Sequence, residues 1–402
     1  MINMKILYIH QYFHFPEQSG GTRSYDLATS FVKRGIQVEM ISASRVNGNK
    51  KWDEFERDGI KFYMLNCPYD NKMSFGRRII SFISFMCNAS IKALQINCDC
   101  VLATSTPLTV AIPALVRKWI KKTPYVFEVR DVWPEVPIKM GIIKNKIAIK
   151  FLYWFEKLVY KNASAIVPLS VGMDTDVKSR YPNGKSVVIP NISEISRFAS
   201  ISSAIDLNIP IKGKKIVLYA GTLGIVNGTN YIVDIAYETL KIDSGIHYLI
   251  FGDGKEKEKV LKYAGEKGVL NNNLFVLNSV RKNELPYLYS IATVGFSSVI
   301  DNPILWENSA NKFFDTLAAS KPIVINYKGW QADVIRSKNV GYVLPAKVTI
   351  EAVKEFVKYI SNDKLLLEQG KNAFNLAKEE YSLDVAVDKY MKIFSSLRVN
   401  RV

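Results

Sequence analysis

The chain has 402 residues, 48% hydrophobic and 12% aromatic, and a formal net charge of +17. That length holds two domains with a core each, and that composition excludes a disordered or low-complexity protein. No uninterrupted apolar run approaches the roughly 20 residues of a membrane span. No helix-turn-helix, zinc-finger or RNP-like pattern accompanies the charge, so no nucleic-acid partner is expected.

The cysteines, Cys67, Cys87, Cys98 and Cys100, lack metal-ligand spacing, and few histidines exist to assist them. Free, buried thiols in a reducing compartment are expected, with no metal. The short basic start is followed by polar alternation, which reads as a first strand and not a signal peptide. This gives the expectation of a cytoplasmic protein.

Lys5 to His10 is a predicted strand, followed by an aromatic-rich loop, Gln11 to Ser19. Gly20-Gly21-Thr22 then opens a helix with Tyr25, Leu27, Ala28, Phe31 and Val32 at its apolar positions. Gly35 ends it and Ile36 to Ser42 is the next strand. Strand, glycine loop, helix and strand make the phosphate-cradling half of a doubly wound fold, without the G-x-G-x-x-G fingerprint. A plain glycine turn has the same look.

From Asn71 to Cys98 there is no acid, while Lys72, Arg77, Arg78 and Lys92 flank Ile79, Ile80, Phe82, Ile83, Phe85 and Met86. Ile138 to Phe155 also lacks acids and interleaves Lys139, Lys144, Lys146 and Lys150 with Ile142, Ile143, Ile147, Phe151, Leu152, Trp154 and Phe155. A basic helix carrying Trp and Phe on its other side is the pattern for lying on an anionic membrane surface. The alternative is a core helix with a solvated lysine face. Asp99 to Thr104 and Tyr125 to Val129 read as buried strands, the second leading into Glu128-Val129-Arg130-Asp131-Val132-Trp133-Pro134-Glu135.

A strand at Ile166 to Leu169 and the segment Val187 to Asn191 close the first domain, and Ser193 to Ile211 reads as the linker. Strands at Lys214 to Ala220, Ile246 to Phe251, Leu274 to Leu277 and Thr293 to Val299 then alternate with loops and helices, including Asn283 to Ala292. This predicts an α/β fold of two Rossmann-like, doubly wound domains. The expected boundaries are 1–195, 196–381 and a final helix, 382–402. Two such domains facing one another make a cleft, the usual place for a ligand.

The stretch from Trp306 to Pro322 is the most informative. Glu307 and Asp315 stand eight apart with Lys312 between them, and Phe313, Phe314, Leu317 and Ala318 recur at helical spacing. Ser309 or Asn311 is the expected cap, which leaves an anion-friendly helix N-terminus beside two carboxylates. That suits a ligand both phosphorylated and rich in hydroxyls, such as a nucleotide sugar. An amphipathic helix with a solvated acid face is the competing reading.

This stretch resembles the Glu–seven residues–Glu motif of the retaining glycosyltransferases of family four, with Asp in second position and Leu317-Ala318-Ala319-Ser320-Lys321-Pro322 after it. The string Arg130-Asp131-Val132-Trp133-Pro134-Glu135, with Ile9-His10-Gln11-Tyr12-Phe13, Gly20-Gly21-Thr22-Arg23 and Ile189-Pro190-Asn191, is similar to the WbuB-type subgroup of O-antigen synthesis. The resemblance covers nearly the whole chain. It implies the GT-B fold with the last helix crossing back to the first domain. It also implies a UDP-sugar donor, N-acetyl-L-fucosamine in that subgroup, and an undecaprenyl-diphosphate-linked saccharide acceptor at the inner face of the cytoplasmic membrane.

By the same resemblance Glu307 contacts the donor sugar and Asp315 the ribose, and Lys312 is the candidate for the diphosphate. Gly20, Gly21, Gly221, Gly224, Arg281 and Asn311 are the further donor-binding candidates. Two departures stand out. The family's usual histidine is replaced by Arg130, leaving Asp131 and Glu135 as candidate acceptor-activating groups or as structural acids, with Arg130 a partner for Asp131. The usual Arg-Lys diphosphate pair falls at Thr222 and Asn227, so charge compensation would come from Arg281, Lys282 or Lys312. No cofactor beyond the donor is implied. A sugar-nucleotide 2-epimerase of the same fold, or a non-catalytic nucleotide-sugar-binding subunit, stays open as an alternative.

Overall fold

A computed structural model describes residues 4–18, 20–44, 51–67, 75–131, 133–201 and 204–399. They fall into two compact units: Met1–Phe15, Thr22–Pro190 and Leu383–Val402 form one, and Pro16–Gly21 with Asn191–Ser382 the other.

The first unit is built on seven strands: β1 (Met4–Ile9), β2 (Ile36–Ser44), β3 (Trp52–Arg57), β4 (Ile60–Asn66), β5 (Cys100–Thr104), β6 (Tyr125–Val129) and β7 (Ala165–Pro168). Their order in the sheet is β3-β4-β2-β1-β5-β6-β7, parallel except for the antiparallel β3. Strands β1, β5 and β6 are near-continuous apolar runs, as a parallel sheet covered on both faces requires. The helices are α1 (Arg23–Lys33), α2 (Phe75–Gln95), α3 (Ala111–Lys121), α4 (Glu135–Lys139), α5 (Lys146–Asn162) and α6 (Val171–Arg180).

The second unit has six strands, all parallel: β8 (Lys215–Ala220), β9 (Ile246–Phe251), β10 (Leu274–Leu277), β11 (Val294–Ser297), β12 (Ile323–Ile325) and β13 (Gly341–Val343). They lie in the order β10-β9-β8-β11-β12-β13. Its helices are α7 (Ile195–Phe198), α8 (Asn230–Leu240), α9 (Lys257–Glu266), α10 (Leu285–Ile291), α11 (Asn311–Ala318), α12 (Trp330–Lys338), α13 (Ile350–Ile360) and α14 (Asp363–Glu380). The last helix, α15 (Leu383–Val399), packs against α1, so the chain ends in the first unit. Phe31 meets Tyr390 and Phe394 edge-on at that contact.

Several expectations change. Residues 138–155 do not form one helix. Gly141, at φ 69°, closes α4, and Asn145 starts α5 anew by accepting from the amides of Ile147 and Ala148. A positive φ suits glycine, and an Asn cap satisfies orphan amides. Val187 to Asn191 runs beside β7 through the bonds Val187 N–Ile166 O and Ile189 N–Pro168 O without becoming a strand. The hairpin β3–β4 has no counterpart in the sequence reading. Cys87 is exposed, against the expectation of buried thiols, while Cys67, Cys98 and Cys100 are buried. The start of the first acid-free segment, 71–74 with Lys72, lies outside the described residues, as do Ser19, Val132 and the side chains of Arg78 and Ile79.

Candidate active site

In the second unit, strand order reverses direction between β8 and β11, and ligands of open α/β sheets sit outside the carboxyl ends of strands near such a switch. There the ends of β8 and β9, the segment after β10 and the start of α11 enclose a cavity of about 320 Å³. Gly20 and Gly21, which group with this unit, line it together with Gly221, Thr222, Asp253, Val280, Lys282, Asn311, Lys312 and Asp315. Gly20 takes φ 140°, a conformation that favours glycine. A Cβ on Gly252 would stand 2.0 Å from the Gly221 carbonyl oxygen, so the crossing of these two loops demands glycine there.

Seven of the candidates from the sequence thus share one cavity: Gly20, Gly21, Gly221, Lys282, Asn311, Lys312 and Asp315. Five do not line it, two of which, Asp131 and Glu135, belong to the first unit. Glu307 lies half-buried in the turn before α11. Arg281 is exposed, and its backbone amide donates to the Glu284 carboxylate at 2.6 Å. Gly224 lines a different cavity of about 710 Å³, with Tyr231, Ile300 and Thr349.

Helix α11 begins without a side-chain cap. Neither Ser309 nor Asn311 caps it, because the Ser309 hydroxyl accepts from the Asn191 amide at 3.2 Å. The upstream bond is instead Ala310 N to Asn308 Oδ1, at 3.1 Å. An uncapped helix start keeps its amides for an anion.

The Lys312 chain lies along Gly221, where a Cβ would stand 3.2 Å from its Nζ, and that Nζ is 4.8 Å from the Tyr219 ring centroid. Desolvation pushes the Lys312 ammonium down to about 8, with Asp315 opposing the shift. Lys282, only 8% exposed, donates to both Asp315 oxygens, at 2.7 and 2.6 Å. Of Arg281 and Lys282, both named as candidate cations from the sequence, only Lys282 lines the cavity. The available signal was position alone: Lys282 sits in the loop beyond the end of β10.

In the first unit, Asp131 is exposed and accepts from the Thr106 hydroxyl at 2.6 Å, and among the described residues no ion pair joins it to Arg130. Glu135 accepts from the Tyr153 hydroxyl and pairs with Lys139 at 3.0 Å and Arg180 at 3.6 Å. Burial would raise its pKa, but the Tyr153 bond and Lys139 together hold it below the usual carboxylate range. A carboxylate so held is an anchor of α4 on α5, a poor base in this state.

The sequence reading gave no role to Glu128, which is fully buried. It pairs with Arg23 at 3.0 Å, accepts from Thr104 at 2.6 Å and also from Tyr390. Arg23 reaches the Pro190 and Ile189 carbonyls as well, at 2.5 and 3.0 Å. The signal was present: an acid inside an apolar strand must find a cation. Burial raises the Glu128 pKa, and Arg23 and Arg130 more than reverse that, leaving it lowered.

Two parallel-sheet Rossmann-like domains with a final helix returning to the first define the GT-B class. The chain aligns with the structure of sucrose-phosphate synthase from Thermosynechococcus elongatus at TM-score 0.79 and 12% identity, over 99% of this chain and 100% of that one. It aligns with Anabaena HepE in complex with UDP and glucose at TM-score 0.70 and 14% identity, over 98% and 100%. These are likenesses of fold. Residues 20–192 match the glycosyl transferase 4-like domain and residues 205–376 the glycosyl transferases group 1 family. Each half of the chain thus matches a glycosyl transferase family model. An uncharacterized glycosyltransferase of Methanocaldococcus jannaschii is 27% identical over 63% of this chain and 64% of its own length. The matched part spans 46% of the next two curated relatives.

Proposed function

We propose that the protein is a retaining glycosyltransferase that moves an amino sugar, N-acetyl-L-fucosamine, from a UDP-sugar to an undecaprenyl-diphosphate-linked saccharide in bacterial surface-polysaccharide assembly. The observation that carries this reading is the cavity that joins Gly20-Gly21, Gly221, the uncapped start of α11, Lys312 and Asp315. Backbone amides and one ammonium suit a diphosphate, and a carboxylate suits ribose hydroxyls. The UDP assignment is supported by the complex of the HepE neighbour. The amino sugar and the lipid acceptor rest on the Arg130 to Glu135 string and its companions.

In the mechanism we propose, the acceptor hydroxyl approaches the face that the nucleotide leaves. Lys312 and the α11 amides stabilise charge developing on the leaving diphosphate. Glu307 orients the donor sugar. Asp131, whose carboxylate is exposed, is the better of the two candidate acceptor-activating acids, since Glu135 is held by three partners.

An anionic membrane surface is the proposed second partner. Ile147, Phe151 and Trp154 follow one face of α5 and are 80%, 58% and 57% exposed. Lys146, Lys150, Lys157 and Lys161 on the same helix are also exposed. Exposed rings among lysines fit a lipid interface better than a solvated lysine face over a core. Among the described residues no helix is long and apolar enough to cross a membrane.

The test is sugar transfer from a panel of UDP-sugars to a lipid-linked N-acetylhexosamine, with wild type beside Glu307→Ala and Lys312→Ala. Transfer by wild type is expected, with kcat/KM down by roughly 10²-fold or more in each variant. Transfer surviving in both would remove the site. Donor epimerisation without acceptor would replace the reaction.

A further inference from the structure

Lys312 and Asp315 stand three residues apart on α11, the spacing at which opposite charges on one helix pair. They do not pair. Asp315 takes its bonds from Lys282, 33 residues away, and among the described residues Lys312 forms no ion pair. Lys282 is itself held in place. The Arg281 amide donates to the Glu284 carboxylate at 2.6 Å and the Glu284 amide to the Arg281 carbonyl at 3.1 Å, which fixes the turn Lys282–Glu284 that carries the lysine.

We propose that Lys282 is a positioning residue of the donor site: by claiming Asp315 it fixes that carboxylate for the ribose hydroxyls and leaves Lys312 unpaired for the diphosphate. The inference rests on reading the cavity as the nucleotide-sugar site. Each carboxylate oxygen offers two acceptor directions, and Lys282 occupies one on each, so the others remain for hydroxyls. The charges of Lys282 and Asp315 cancel, and the ammonium of Lys312 is the surplus that an anion meets. Remove Lys282 and the helical spacing delivers Asp315 to Lys312, which neutralises the surplus and moves the carboxylate off its place. The desolvated state of Lys312 agrees with this, since an ammonium short of partners in a protein wall gains most from an arriving phosphate. The loop after β8 has Thr222 and Asn227 where the family's cations would stand, so one uncommitted lysine carries an unusual share of the charge.

The experiment is calorimetric binding of UDP, uridine and 2′-deoxy-UDP to the full chain, for wild type, Lys282→Met, Lys282→Arg and Lys282→Met with Asp315→Asn. Wild type should prefer UDP to both other ligands. Lys282→Met should lose about tenfold or more in UDP affinity, the scale of one charge-assisted contact. The double variant leaves no carboxylate to capture Lys312. Its UDP-over-uridine ratio should return to within about threefold of wild type, while the preference over 2′-deoxy-UDP stays lost. Lys282→Arg should keep both preferences. A double variant whose UDP-over-uridine ratio stays as low as in the single variant overturns the inference, as does a Lys282→Met protein with wild-type preferences. Should Lys282→Met fail to fold, the double variant, which buries no unpaired charge, decides alone against wild type. Absence of UDP binding by wild type would instead overturn the donor-site reading.

Discussion

In the first unit Arg23 and Glu128 pair at 3.0 Å with side chains 2% and 0% exposed, and in the second Lys282 and Asp315 pair at 2.6 Å with 9% each. Both bridge elements far apart in the chain. They differ in what surrounds them. Thr104, Tyr390 and Arg23 surround Glu128, and the Pro190 and Ile189 carbonyls take the remaining arms of Arg23. The first pair is closed and ties β6, α1 and α15 together. Lys282 and Asp315 meet on a cavity wall, where Asp315 has acceptor directions left over. Burial alone does not separate a structural ion pair from a functional one. Unspent hydrogen-bonding capacity facing a cavity does.

The largest effect that would sharpen this contrast is on stability. Breaking a sealed pair strands a buried charge, so Glu128→Ala should cost about 3–5 kcal/mol. Asp315→Asn should cost less, because water in the cavity can reach the Lys282 ammonium. Urea unfolding followed by circular dichroism compares the two, and equal losses would erase the distinction. The pH dependence carries a sign. The folded-state pKa of Glu128 is lowered, so its stabilising contribution is present above the unfolded carboxylate value and is lost as pH falls through the folded one.

How much of this was legible beforehand follows the same line. The strands Tyr125–Val129, Ile246–Phe251 and Leu274–Leu277 are short apolar runs between turn residues, and the sequence reading gave their bounds as the structure has them. Local pattern suffices where one segment decides its own conformation. It failed where a distant partner decides. The Ser309 hydroxyl serves Asn191 and not its own helix, and Glu128 needs a tyrosine 262 residues away. The choice of Lys282 over Arg281 depends on which way a turn faces. The hairpin β3–β4 was missed for another reason: its edge strand, Trp52–Arg57, is largely exposed and charged and carries no alternating apolar face.

A second, intermediate effect tests whether the open site behaves as an open site. With Lys312 pushed down to about 8, the free protein carries the full ammonium only below that pH. The donor's kcat/KM should therefore hold steady below about pH 8 and fall above it, as the cation titrates away. Bound diphosphate favours the charged form, so the limb in kcat should lie at higher pH than the limb in kcat/KM. Lys312→Arg should abolish the limb, since guanidinium does not titrate there. A profile unchanged by that substitution would mean the limb belongs to another group.

The smallest effect belongs to neither pair and lies on α5, whose lysines are exposed. Each lysine near an anionic leaflet contributes about 1 kcal/mol, so Lys150→Ala should weaken partition onto phosphatidylglycerol-containing vesicles about fivefold. The same change should leave binding to zwitterionic vesicles unaltered and should vanish in high salt, where surface charges are screened. Trp154→Ala should weaken both, because the ring buries apolar surface irrespective of headgroup charge. Lys150 and Trp154 are both exposed and one turn apart, so an equal response of the two to salt and to lipid charge would break the division of roles. Neither change should move urea stability by more than about 0.5 kcal/mol, which is the range for exposed positions. A larger shift would return α5 to the ordinary core-helix reading.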